Sequence, residues 1–169
     1  MSAFEKIGTD RQLQDHWLRR LIAGIIDSVI TWVIAWIIST VIALPALLLG
    51  GAAWVGTFPF LSGIIFFLYA SFFESSRGAT IGKQIMNMKV TTTEGNVPDL
   101  GKSMFRNISK IHALLWLLDT LIGMAMVGDP HQKYSDRFAG TTVISTIEKD
   151  LLISTIVAYP APEIPPPPA

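Results

Sequence analysis

The chain has 169 residues, half of them apolar and only 15% charged, with a formal net charge of zero. Soluble domains carry roughly 25% charged residues, so the depletion suits a lipid solvent, and the charge balance gives no reason to expect nucleic-acid binding. With no cysteine there are no disulfides, thiolate metal sites or thiol catalysis; His16, His112 and His131 are too scattered for a metal site, and no cofactor is implied.

Residues 1–18 read as an amphipathic cytoplasmic segment. Thr9 followed by Gln12 resembles a capping box, and Leu13, Trp17 and Leu21 recur on one helical face. Trp17 beside Arg19 and Arg20 suits the membrane interface, so the segment is expected as an interfacial helix leading into the first span. From Leu21 to Phe73 the only charge is Asp27, and the run is long enough for two spans of roughly 20 residues. It is too long for a cleaved signal peptide. The first span is predicted from Arg20 to Leu44, ending before Pro45. An uncharged loop with Pro45, Gly50, Gly51, Gly56 and Pro59 follows, then a Phe-rich second span from Phe58 to Phe73 with Glu74 at its exit.

The stretch 76–107 is basic, with Arg77, Lys83, Lys89, Lys102 and Arg106 against Glu94 and Asp99. Lys89–Thr93 is β-branched, Glu94-Gly95-Asn96 is a turn signal, and Thr141–Ile147 has the composition of a short strand. A third apolar helix is predicted from Asn107 to Val127, interrupted by Lys110, His112 and Asp119. The tail, 148–169, closes in Pro-Pro-Pro-Pro-Ala and reads as extended and disordered at its end. The expected class is an all-α membrane protein: about three transmembrane or re-entrant helices plus an N-terminal interfacial helix, with one membrane domain at 19–147. By the positive-inside rule both basic segments face the cytoplasm of a plasma or inner membrane. If the third helix spans, Asp136 lies outside; if it re-enters, Asp136 is cytoplasmic.

Charged residues within spans usually face a bundle interior or a cavity. Arg20 and Asp27 are seven residues apart, on one face and about 10 Å apart along the axis. Gly24, Ser28, Thr31 and Ala35 form an adjoining small-residue stripe for close helix approach. Asp27 reads either as a structural partner for an arginine or backbone amide, or as an ion or proton ligand. His112 and Asp119 repeat the seven-residue spacing. They could join Asp27 in one polar cavity, or mark an interfacial residue and a break in a re-entrant helix. Gly78-Ala79-Thr80-Ile81-Gly82-Lys83 lacks the glycine spacing and the Ser/Thr of a phosphate-binding loop. No nucleophile-and-base pair points to an enzyme.

Three blocks taken together resemble the RDD family, named for one arginine and two aspartates. They are Arg20-Leu-Ile-Ala-Gly-Ile-Ile-Asp27, Thr80-Ile-Gly82-Lys83-Gln-Ile-Met-Asn87-Met-Lys89-Val90, and Tyr134-Ser135-Asp136-Arg137-Phe138-Ala139-Gly140-Thr141. On that resemblance the arginine is Arg20, with Arg19 the adjacent alternative, and the aspartates are Asp27 and Asp136. Asn87 stands where the family usually has glycine, and asparagine tolerates a left-handed backbone. Ser135 stands where histidine is common. The resemblance implies a small helical membrane bundle and a part in transport, some members being associated with sodium/proton antiport. On this expectation Asp27 exchanges monovalent cations for protons, Arg20 tunes its charge, and a homo-oligomer completes the path. The alternative is a non-transporting scaffold whose Arg/Asp network is structural.

Overall fold

The computed structural model describes residues 2–48 and 54–147; the tail expected at 148–169 lies outside the described residues. Ser2 and Glu5 form a capping box at the start of α1 (Ala3–Ile7). The next helix, α2 (Arg11–Leu48), is capped by Asp10 rather than Thr9: Asp10 Oδ1 accepts from the backbone N–H of Gln12 at 3.0 Å and of Leu13 at 3.1 Å. The interfacial segment and the first span are therefore one continuous helix. Between Arg11 and Leu44 there is no proline and one glycine, Gly24, and the helix runs through Pro45 to Leu48. Its stretch Arg11–Ile42 is long and apolar enough to cross a membrane.

The distribution of side chains around α2 is the reverse of a water-soluble helix. Ile25, Val29, Trp32, Trp36 and Val41 are exposed, while Asp27 and Thr31 are buried. An outward apolar surface of this extent belongs against lipid. Helix α3 (Trp54–Arg77) packs along α2. A β-carbon at Gly63 of α3 would lie 1.8 Å from the backbone oxygen of Ile111, so glycine is what lets the third helical segment cross there.

That third segment is not the single helix expected from Asn107 to Val127. It is α5 (Leu100–Asn107), a 3-10 turn (Ile108–Ile111) and α6 (Ala113–Ala125), with a bend of 114° between the two arms. The break has a local cause. Lys110 is turned inward and buried, and His112 leaves the helical conformation to cap α6, its Nδ1 accepting from Leu114 N–H at 3.2 Å. At about 1.5 Å per residue, the 13 residues of α6 cover less than the roughly 30 Å of a bilayer's hydrocarbon core. Asp99 caps α5, whose Ser103, Arg106 and Asn107 face inward while Leu100 and Phe105 face outward.

Between and after these lie the polar elements α4 (Ile81–Ile85), β1 (Met88–Thr92), α7 (Tyr134–Phe138) and β2 (Thr141–Ser145). The strands pair antiparallel, Met88 opposite Ser145 and Val90 opposite Val143, over a small core of Met88, Val90 and Val143. The all-α expectation is thus corrected to a mostly helical fold with one two-stranded ribbon. Both strand segments carry the β-branched composition noted in the sequence. Asn87 enters β1 with φ +54°, the left-handed conformation anticipated where relatives use glycine. Trp17, expected among headgroups, is instead buried with Ala3, Leu13 and Met124, and donates its indole N–H to Pro130 O at 3.0 Å.

Candidate functional site

A layer of buried charge lies where the basic segments converge on α2. Three of its four carboxylates were read from sequence, and each has different company. Asp27, only 1% exposed, is held by neutral donors. The hydroxyl of Tyr69 donates to Oδ1 at 2.8 Å, the backbone N–H of Gly82 donates to Oδ1 at 2.8 Å, and Thr80 Oγ1 donates to Oδ2 at 2.5 Å. Tyr69 in turn accepts from Ile81 N–H at 3.0 Å. Asp27 and Tyr69 therefore receive the free N–H groups at the start of α4, groups that otherwise need a capping partner. The approach is close: a β-carbon at Gly82 would lie 2.3 Å from Ala23 O and 2.9 Å from the Asp27 carboxylate.

Arg20 does not pair with Asp27, despite their shared register. Its Nη2 donates to Asp136 Oδ2 at 2.7 Å and its Nη1 to His131 O at 2.7 Å. A guanidinium is a fork of donors, and here the fork grips the start of α7 and the loop before it. Asp136 is fully buried and lies 3.0 Å from Arg106 Nη2 on its other side, while Oδ2 also accepts from Lys133 N–H at 3.3 Å. Burial pushes the Asp136 carboxyl up, but Arg106 and then Arg20 and Lys133 outweigh it and hold the group well below the usual carboxylate range. Asp136 is beside Arg20, so it sits at the same end of the molecule as the N-terminal segment and α4.

Asp119 and His112 do not join Asp27 in one cavity. Asp119 binds Lys133, accepts from Ser135 N–H at 2.7 Å and from the hydroxyls of Ser109 and Ser135 at 2.7 and 2.8 Å. Ser135, standing where histidine is common, has its hydroxyl within reach of both this carboxylate and Arg106 O, at 2.8 and 2.9 Å, its one proton serving either acceptor. His112 is exposed and caps α6. The small-residue stripe does admit neighbours: Gly24 faces the Trp116 ring, and Thr31 and Ala35 are buried.

Sequence reasoning missed the centre of the layer, Glu74. Fully buried on α3, it contacts Lys83, lies 3.5 Å from Arg106 Nε and 3.8 Å from Lys110 Nζ, and accepts from Asn107 Nδ2 at 2.7 Å. Lys83 and Arg106 read in the sequence as loop basicity and Lys110 as a helix interruption, and nothing there marked Lys133 as a buried partner. One signal was present: Arg106 and Lys110 are four apart, on one helical face, and Glu74 is the first acidic residue after Asp27. Burial pushes the Lys83 ammonium down to about 7 against the upward pull of Glu74, with Arg106 and Lys110 pushing further down. Burial likewise lowers Lys133 against Asp136 and Asp119.

A cavity of about 120 Å³ opens onto this layer. Arg20, Lys83, Arg106, Lys110 and Lys133 line it together with Asp27 and an apolar wall that includes Leu21, Trp116 and Leu117. A second cavity of about 280 Å³ lies beyond Lys110 and Trp116, bordered by Ser28, Thr31, Ser62 and His112.

No curated protein and no solved structure matches the chain. A model of the RDD family matches residues 15–140, three-quarters of the sequence, and takes in Arg20, Asp27 and Asp136. With its apolar, outward-facing α2, the chain is a membrane protein that belongs to the RDD family.

Proposed function

We propose that this chain is a non-transporting membrane scaffold or accessory protein, in which the family's arginine and aspartates brace the fold. One observation carries the reading: Arg20 and Asp27, on one helix, each dock a different segment, Arg20 fixing α7 through Asp136 and Asp27 fixing α4 through Gly82 and Thr80. Polar groups so engaged do for a membrane fold what an apolar core does in water, because lipid offers no alternative partner. In this reading α2 and α3 cross a plasma or inner membrane, α5 lies in the interface and α6 re-enters. The N-terminus and Asp136 then share the cytoplasmic side, as the basic residues favour.

Monovalent cation/proton exchange is the second reading, and it is favoured by Asp27 being buried beside a cavity with no ion-pair partner among the described residues. Against it stand three donors already on the carboxylate and five cationic side chains around the same cavity. Reconstituted vesicles separate the two. The brace predicts that Asp27→Asn lowers thermal stability in detergent, and that neither form moves sodium, potassium or protons down an imposed gradient. Gradient-driven flux by the parent chain that Asp27→Asn abolishes, with unchanged melting, would replace the brace by exchange.

A further inference from the structure

The cavity beneath Arg20 is rich in donors and poor in acceptors. Five cationic side chains line it, and the one carboxylate among its lining, Asp27, already accepts three hydrogen bonds. Within the buried layer these five basic side chains face four carboxylates, Asp27, Glu74, Asp119 and Asp136, so basic groups outnumber acidic ones. Two of the cations have donor capacity to spare. Arg106, with a side chain 1% exposed, leaves Nη1 without a hydrogen-bond partner among the described residues. Lys110 comes no nearer than 3.8 Å to Glu74 and otherwise lies against the Phe66 ring. An unpaired buried guanidinium donor is costly to leave in place, and lysine and arginine together match the oxygens of a phosphate.

The volume, about 120 Å³, is well above the roughly 15 Å³ that a single water needs. The other wall decides the source of the anion. Leu21 and Leu117 line the same cavity and are 50% and 52% exposed on the lipid-facing surface. A free ion gains nothing from them, whereas an amphiphile does. We infer that this cavity binds the phosphate of an anionic phospholipid, the headgroup reaching Arg106 and Lys110 and the acyl chains leaving past Leu21 and Leu117. Basic pockets between membrane helices recognise headgroups in this manner. The inference needs only that the chain is in a membrane, so it stands or falls apart from the brace.

The experiment uses the purified full chain in detergent, with native mass spectrometry and thermal melts read against three additives: dioctanoyl-phosphatidylglycerol, dioctanoyl-phosphatidylcholine and inorganic phosphate. The phosphatidylglycerol should be retained and raise the melting temperature, the phosphatidylcholine should do neither, and phosphate should compete only weakly. Lys110→Gln, which removes the least engaged of the five cations, should weaken phosphatidylglycerol binding about fivefold. Lys110→Arg should restore it, and Arg11→Gln, on the exposed start of α2, should leave it unchanged. Equal retention of the two lipids, or undiminished binding by Lys110→Gln, would overturn the inference. Phosphate competing as well as the lipid would overturn it too, by assigning the cavity to a free ion. The headgroup comparison on the parent chain decides the matter even where a variant does not fold.

Discussion

Asp27 and Glu74 are both buried carboxylates on the packed faces of α2 and α3, yet they are satisfied in opposite ways. Asp27 takes three neutral donors and no cation, one from Tyr69 on α3 and two from Thr80 and Gly82 at the start of α4. Glu74 takes cations from three directions, Lys83, Arg106 and Lys110, plus the Asn107 amide. The first is a pin, fixing one short helix at one distance; the second neutralises charge that several segments bring into the interior. The difference teaches that a lone intramembrane aspartate need not signal an ion site, since backbone and hydroxyl donors can absorb its charge.

If that contrast is right, the two should break differently. The largest effect belongs to Glu74→Gln, which strands three buried cations; removing one partner of a buried ion pair costs about 3–5 kcal/mol. Chemical or thermal unfolding in detergent should register a loss of that order, and parent-like stability would mean the cations already find other partners. Asp27→Asn should cost less, about 1–3 kcal/mol, because the amide keeps one acceptor while its NH2 meets a donor. Protection of the Gly82 amide from hydrogen exchange should fall with it.

Acid sharpens the contrast further. The Asp136 carboxyl is held below its ordinary value of about 4. Its contribution is therefore fully present above about pH 4 and is lost as pH falls through the depressed folded value. Melting temperatures should hold from neutrality to about pH 5 and decline below about pH 4, and Asp136→Asn should lower the neutral plateau and flatten that decline. The smallest effect is on the surface, where Asp15 and Arg19 pair at 2.6 Å with both side chains partly exposed. Asp15→Asn should change stability by less than about 0.5 kcal/mol, measured in the same melts.

What could be read from sequence followed from demands that act locally. Lipid requires long apolar runs, so α2 and α3 were visible as such, and the three motif blocks identified Arg20, Asp27 and Asp136. The family resemblance pointed to the left-handed Asn87, and composition to the two strand segments. The partners were not legible, because they are fixed by chain crossing rather than by spacing. Arg20 and Asp27 share a face, yet Arg20 finds an aspartate 116 residues away. The bend at Ile108–His112 was hidden for a related reason: Lys110 and His112 looked like interruptions of an apolar helix, and only the buried Glu74 shows why Lys110 turns inward. Glu74 itself, next to the serines that close α3, looked like an ordinary boundary residue.

The unbroken α2 has one further consequence. At about 1.5 Å per residue its 38 residues make a rod nearly twice as long as a bilayer core is thick, and both docking points sit on that rod. Arg20 and Asp27 are two turns apart on the same helix, with Gly24 between them packed against the Trp116 ring, so a roll of the helix moves the anchor points of α7 and α4 together. A torque applied to the N-terminal turns reaches both anchor points at once, while Glu74 and its cations, carried by other segments, lie off that rod.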